Sequence, residues 1–171
     1  DGRHVKKGQQ TEDHYPITSA TPGSRYDFII VSLSSLRLEE ALETLRDNRF
    51  KGTILLFCGV WESREHIEHI MAGRPYLLGY PVAGGRLNKA DCRLECVVFD
   101  HIMLESRKRT SVENYDDITR SFLQSGIKSE CPHDMLEWIW LHMSINAGVI
   151  STIMALAEAD PKRADECVER L

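Results

Sequence analysis

Three short apolar runs, each separated from the next by an amphipathic stretch, constrain the fold of this 171-residue chain more than any other feature. The runs cover residues 26–33, 53–57 and 76–80, and leucines or isoleucines recur at helical spacing over about 38–48 and 62–71. A continuous apolar run is typical of a strand that is buried on both faces. The order strand, helix, strand, helix, strand therefore predicts an α/β fold with a doubly wound, parallel sheet.

The pattern changes after the third run. Residues 93–99 and 101–104 predict two strands of an antiparallel extension, separated by Asp100. Residues 114–124 predict an amphipathic helix, and a short strand follows within residues 127–131. The apolar side chains expected on the inner face of that helix are Ile118, Phe122 and Leu123.

A long uncharged segment follows, because residues 138–157 contain no Asp, Glu, Lys or Arg. Its length would suffice to span a bilayer, but it contains His, Asn, Ser and Thr, and its flanking residues Glu137 and Glu158 are acidic rather than basic. We therefore expect no membrane span, but a helix buried on all sides within a helical domain. The predicted division is a sheet domain over 1–131 and the beginning of an all-α domain over 132–171.

The two ends of the sequence are less regular. Residues 1–25 are polar and predict loop with at most one short strand, whereas residues 162–171 predict a last helix with a solvated face. The first residue is Asp1 rather than Met, so we expect the chain to be processed, truncated or preceded by further residues.

Composition argues against several function classes. The formal net charge is -5, and Lys and Arg are scattered, which does not favour a nucleic-acid partner. The count of five cysteines is odd and no apolar leader opens the chain, so a reducing, cytoplasmic setting is expected. Cys92 and Cys96 fit buried strand positions better than metal ligands, and His66 and His69 fall on the solvated side of their helix. No metal site is predicted.

In an open α/β sheet, ligands bind beyond the carboxyl ends of the parallel strands. Those ends fall at residues 32–35, 58–61 and 80–85, and all three contain serine or glycine. Small residues allow a flat or phosphorylated ligand to approach the backbone, although glycine is also common in ordinary turns.

His142 and Asn146 form the second candidate site. Their i, i+4 spacing puts them on one face of a helix. An imidazole and a carboxamide on an apolar helix must be satisfied by neighbours, water or a ligand, so the pair is either a core pair or a binding site. Histidine titrates near neutral pH and can donate or accept a proton.

The order of these segments resembles the ketopantoate reductase (2-dehydropantoate 2-reductase) family. The resemblance is based on YDFIIVSLSSLRLEEAL, GTILLFCGVW, YLLGYPVAGGRL and MLEWIWLHMSINAGVISTI, in that order. It implies a Rossmann-type domain that binds NADPH, followed by a helical domain. It also implies reduction of a 2-keto acid to a 2-hydroxy acid by hydride transfer.

The resemblance assigns roles to particular residues. His142 occupies the position of the family's catalytic lysine and would be the proton donor, while Asn146 matches the family's asparagine and would orient the substrate. The cofactor-binding residues would be Leu33, Ser34, Cys58, Gly59 and Gly85. A homodimer is kept as a candidate assembly.

Several residues depart from the family pattern. Ser34 stands where a lysine is common, Cys58 replaces the asparagine of an Asn-Gly turn, and Ile150 replaces a second asparagine. The sequence contains no G-x-G-x-x-G turn for the pyrophosphate, so the Rossmann-type sheet is expected to be incomplete and to bind a dinucleotide poorly unless such a segment precedes Asp1. The alternative is a non-catalytic dinucleotide-binding or dimerisation module that has lost the catalytic lysine.

Overall fold

The computed structural model describes residues 2–6, 9–13, 16, 18–33, 35–90, 93–160 and 163. Three predictions fall outside these residues: the cofactor contact at Ser34, the buried strand position of Cys92, and the helix over 162–171.

The centre of the fold consists of three parallel strands and the two helices that connect them. The strands are β3 (Arg25–Val31), β4 (Lys51–Leu56) and β5 (Tyr76–Asn88), and the helices are α1 (Leu38–Asp47) and α2 (Arg64–Met71). β3 pairs in parallel with β4, and β4 with the first three residues of β5. This is the predicted βαβαβ arrangement, so the Rossmann-type α/β fold class is confirmed.

The remaining inner elements complete a layered structure. β6 (Arg93–Leu104) pairs antiparallel to β5, and β7 (Lys128–Glu130) pairs in parallel with the last residues of β6, from His101 to Met103. α3 (Tyr115–Gln124) connects β6 to β7, and α4 (Met135–Ala159) follows. Together with two N-terminal strands the sheet has the order β2-β1-β6-β5-β4-β3, with β7 beside β6.

Those N-terminal strands correct one expectation. Residues 1–25 were expected to hold at most one short strand, but β1 (Gly2–Lys6) and β2 (Gln9–Asp13) form an antiparallel hairpin. Gly2 and Arg3 of β1 pair in parallel with the first residues of β6 and so add this hairpin to the sheet. Polar strands of this kind lack the apolar alternation on which a sequence-based prediction depends.

The antiparallel extension is also more continuous than predicted. Residues 93–104 form one strand, and β5 extends far past the predicted end at residue 80. The register between β5 and β6 shifts between Pro81 and Ala83, so a bulge, not a break, lies at Asp100.

The side chains of β4 point alternately to the two faces of the sheet and so contribute to two separate core clusters. Ile54 and Leu56 face a cluster with α1, α2 and α4, whereas Leu55 faces a second cluster with α3. On α3, Ile118 is buried as predicted, but Leu123 is 61% exposed, so its predicted inward position is wrong. Helices thus cover both faces, as a doubly wound sheet requires.

The prediction that α4 is buried on all sides is wrong. Its first turns pack on the sheet through Met135, Leu136 and Ile139, but large apolar side chains farther along are 56–62% exposed. Those side chains are Leu141, Ile145, Ile150 and Met154. A uniformly apolar helix has no pattern that shows which part is covered. By length and composition alone, α4 is the one helix in the described part of the chain that could cross a bilayer.

Candidate active site at the carboxyl edge of the sheet

The middle of α4 lies across the turn that follows β4. A Cβ atom added to Gly59 would come within 2.5 Å of the Met143 sulfur, so the two residues are in close contact. Because Gly59 follows the carboxyl end of β4, this contact places α4 over the edge where ligands of open α/β sheets bind.

His142 is held by two aromatic rings at the same edge. Its imidazole stacks on Trp138, with the ring centroids 4.7 Å apart and the planes 11° apart. Tyr80 meets the imidazole edge-on, also at 4.7 Å. Tyr80 lies two residues past Leu78, where the pairing of β5 with β4 ends. The imidazole therefore lies beside the carboxyl end of the parallel sheet.

Neither polar group of the predicted pair is engaged by the protein. His142 and Asn146 are both half-buried, and neither side chain makes a hydrogen bond to any residue that the structure describes. They lie one turn apart on the same helix face. The pair is thus not satisfied by hydrogen bonds to the described residues.

Cys58 is a buried thiol at this edge. Its side chain is 4% exposed, and burial raises its pKa to about 11, with a smaller contribution from the charge of Glu62. At neutral pH it is a protonated thiol, so it can contribute packing and a weak donor but not a nucleophile.

Glu62 is a residue that the sequence analysis missed. One of its carboxylate oxygens is buried and has no hydrogen-bond partner among the described residues. Its charge acts on Cys58, so it belongs to the same turn. The only sequence signal was an acidic residue in the turn between β4 and α2, which is also common in solvated turns.

The predicted cofactor residues do not all come together. Leu33 is 43% exposed and lines a cavity of about 480 Å³ with Ile30, between β3 and α1. Gly85, by contrast, pairs with Cys96 in the β5–β6 hairpin. It lies seven residues past Leu78, which is about 23 Å along an extended strand. The structure therefore separates Gly85 from Cys58 and Gly59.

A buried ion pair connects α2 to the end of β6. Glu105 is 2% exposed, and its carboxylate lies 2.8 Å from the guanidinium of Arg64. Burial raises the pKa of Glu105 and outweighs the opposing effect of Arg64. The hydroxyl of Tyr115 donates to the Glu105 carbonyl oxygen at 2.9 Å. Sequence reasoning did not find this pair, because its members are 41 residues apart with no shared motif.

Comparison with known proteins identifies the class of fold. No protein-family model matches the chain, and neither does any curated protein. Solved structures of dehydrogenases resemble it, among them D-mandelate dehydrogenase in a ternary structure with NADH and anilino(oxo)acetate (TM-score 0.63, 14% identity, 90% of this chain and 51% of that one). The chain therefore has a Rossmann-like fold.

Ketopantoate reductases are among these neighbours. The dimeric ketopantoate reductase from Staphylococcus aureus gives a TM-score of 0.59 at 14% identity, over 84% of this chain and 48% of that one. The 2-dehydropantoate 2-reductase from Geobacter metallireducens gives 0.59 at 11%, over 88% and 49%. The likeness to the predicted family is one of fold, and the chain spans about half the length of these neighbours.

Proposed function

We propose that this chain is part of a nicotinamide-dependent reductase that converts a 2-keto acid to a 2-hydroxy acid. The observation that supports this most is the position of His142 beside the carboxyl end of the sheet, half-buried and without a hydrogen bond to any described residue. A proton donor at that edge is what carbonyl reduction requires next to a dinucleotide.

His142 would donate its proton to the carbonyl oxygen as the carbonyl carbon is reduced. Its stacking on Trp138 restricts the imidazole to one orientation, which lowers the entropic cost of proton transfer. Asn146 would donate from its carboxamide to the substrate carboxylate or hydroxyl, because its side chain has no competing partner in the described chain.

The cofactor would be NADP, which in its reduced form, NADPH, would supply the hydride. The residues fit it in part: Leu33 and Ile30 form an apolar wall against which a flat ring can pack, in a cavity of about 480 Å³. Close approach at Gly59 is possible only from the side that Met143 leaves open. Ser34 and Cys58 remain proposed contacts. Gly85 lies in the β5–β6 hairpin, so it would contact the cofactor only if the cofactor extended along that hairpin.

The proposal also includes an assembly, the candidate homodimer, and a cytoplasmic location. Exposed apolar side chains on α4 would be covered by further helical structure or by a second copy, which agrees with the homodimer kept as a candidate. A cytoplasmic location, without nucleic-acid or membrane partners, remains part of the proposal.

A non-catalytic dinucleotide-binding module is the second candidate. It is favoured by the contact of Met143 with Gly59, which fills space beside the turn where the family has asparagine and glycine. The two candidates differ in turnover rather than in cofactor binding.

The test is steady-state NADPH oxidation by the full-length protein against a panel of 2-keto acids. We expect His142→Gln to lower kcat by a factor of about 10² or more, the usual contribution of a general acid, with NADPH affinity unchanged. His69→Gln is the matched control, since His69 is an exposed histidine on α2. Saturable NADPH binding without turnover of any keto acid would favour the non-catalytic module. An equal loss of binding and turnover in His142→Gln would show a structural role.

A further inference from the structure

A second cavity lies at the opposite edge of the sheet. Its volume is about 940 Å³, and the first residues of the three parallel strands, Arg25, Lys51 and Tyr76, line it. Ligands of Rossmann-type sheets bind at the other edge, so the proposed dinucleotide site does not account for this cavity.

Two cations are adjacent at its rim. Arg25 and Lys51 are register partners in the parallel pairing of β3 with β4. Neighbouring strands lie about 4.8 Å apart, so partners in register are close neighbours. Two like charges so close destabilise a sheet unless an anion compensates them. Neither residue makes an ion pair with another described residue, and the formal net charge of the full sequence is -5.

A third cation, Arg74, lines the cavity and is half-buried. Its guanidinium donates one hydrogen bond, from Nη2 to the Phe50 carbonyl oxygen at 2.8 Å, and Phe50 is the residue that precedes Lys51 in the chain. Its other terminal nitrogen, Nη1, is buried without any partner in the described chain. Burial lowers the pKa of Arg74, and the nearby charge of Arg46 lowers it further. The unpaired N–H groups of Nη1 need a hydrogen-bond acceptor, and an anion would also offset the cost of burying the charge.

The acidic residues around the cavity do not supply that anion. Glu105 is paired with Arg64, and Asp134 with Arg109. The other acidic side chains that line the cavity make no ion pair within the part of the chain that is described. Those side chains are Asp27, Glu68 and Glu113.

An aromatic wall borders the same cations. Tyr26 follows Arg25 and Phe50 precedes Lys51, and their ring centroids are 6.1 Å apart in a tilted pair. Both rings line the cavity. The arrangement of a cationic cluster beside aromatic rings suits a small molecule with an anionic group and a planar body.

We propose that this cavity binds a small organic anion, whose phosphate or carboxylate group pairs with Arg25, Lys51 and Arg74 while its ring contacts Tyr26 and Phe50. The site is separate from the proposed dinucleotide site and does not depend on reductase activity.

The experiment is isothermal titration calorimetry of the chain with phenyl phosphate, benzoate and inorganic phosphate. We expect saturable binding of at least one aromatic anion. Comparing phenyl phosphate with benzoate shows whether the site prefers a phosphate or a carboxylate group. Arg74→Gln should weaken it about tenfold or more, because a hydrogen bond to a charged group contributes about 1.5–3 kcal/mol. Lys51→Gln, at an exposed position, should weaken it severalfold without affecting folding.

Arg120→Gln is the matched control, since Arg120 is exposed and pairs with Asp117 on α3. It should bind as the unmodified chain does. No saturable binding of any probe, or binding that is unchanged in both Arg74→Gln and Lys51→Gln, would overturn the proposal. Inorganic phosphate binding as tightly as phenyl phosphate would overturn the contact with the aromatic wall.

Discussion

Two glycines lie where a side chain would meet a neighbour, but the neighbours differ in how easily they move. A Cβ at Gly59 meets the end of the flexible Met143 side chain, whereas a Cβ at Gly79 meets the rigid ring of Phe57 and the Met103 carbonyl oxygen. We expect Gly79→Ala to cost about 1–3 kcal/mol of unfolding free energy, as overpacking usually does, and Gly59→Ala to cost less than about 1 kcal/mol. Urea unfolding measures both, and equal losses would contradict the distinction.

Cysteine reactivity gives a second prediction at the scale of single residues. The pKa of Cys58 is raised to about 11, first by burial, so at pH 8 only roughly one thiol in a thousand is ionised. Cys131 is exposed. We expect iodoacetamide to modify Cys131 long before Cys58 in the native chain, with peptide mass spectrometry as the readout. Labelling in urea is the control, in which both should react. Similar native rates at the two positions would show that Cys58 is open to solvent.

At the scale of elements, the start of α4 depends on one side chain. Asp134 accepts hydrogen bonds from the backbone N–H groups of Leu136 and Glu137, at 2.9 and 3.1 Å, and also pairs with Arg109. We expect Asp134→Ala to lower the unfolding free energy by about 1–2 kcal/mol, the usual loss for a helix N-cap. Asp134→Asn keeps the cap and removes the charge, so it should recover most of the loss. If Asn and Ala were equally destabilising, the ion pair rather than the cap would be responsible.

The elements also show what could be predicted from the sequence. Apolar runs predicted β3, β4 and the start of β5, because a parallel strand that is buried on both faces is apolar at nearly every residue. The length of β5 and β6 was not predicted, because much of their ladder is exposed and a bulge replaces the expected break at Asp100. The uncharged segment of α4 predicted a helix, but not which part of it is covered, since that depends on where the sheet ends.

The candidate site shows the same division between local and long-range information. The i, i+4 spacing of His142 and Asn146 predicted their common face, because helix geometry is local. The edge-on contact with Tyr80 and the contact of Met143 with Gly59 are long-range, so no local pattern predicts them. Gly85 was grouped with the site on the assumption that β5 ends near residue 80. That assumption is wrong, because β5 continues to Asn88 in the hairpin with β6.

At the scale of the whole molecule, the buried pair of Glu105 and Arg64 connects two layers and should make stability depend on pH in an unusual direction. Burial raises the pKa of Glu105 in the folded chain, despite the opposing charge of Arg64. As pH rises above the unfolded value, which is about 4.3 for glutamate, the unfolded chain ionises first. The folded state then holds the extra proton, so the contribution of this group to stability falls with rising pH until Glu105 itself ionises.

Glu105→Gln tests this, because the amide has no proton to lose. We expect the difference in unfolding free energy between the unmodified chain and the variant to shrink as pH rises from about 4 towards 7, the interval above the unfolded pKa of glutamate. Asp134→Asn is the comparison, since the pKa of Asp134 is lowered: burial raises it, but the two backbone hydrogen bonds and Arg109 outweigh burial. Asp134 therefore contributes stability above its unfolded pKa and loses it as pH falls. Urea unfolding should therefore give slopes of opposite sign in two pH intervals: above about pH 4 for Glu105→Gln, and below about pH 4, the unfolded pKa of aspartate, for Asp134→Asn. A shared sign would mean that Glu105 is stabilised by Arg64 more than it is penalised by burial.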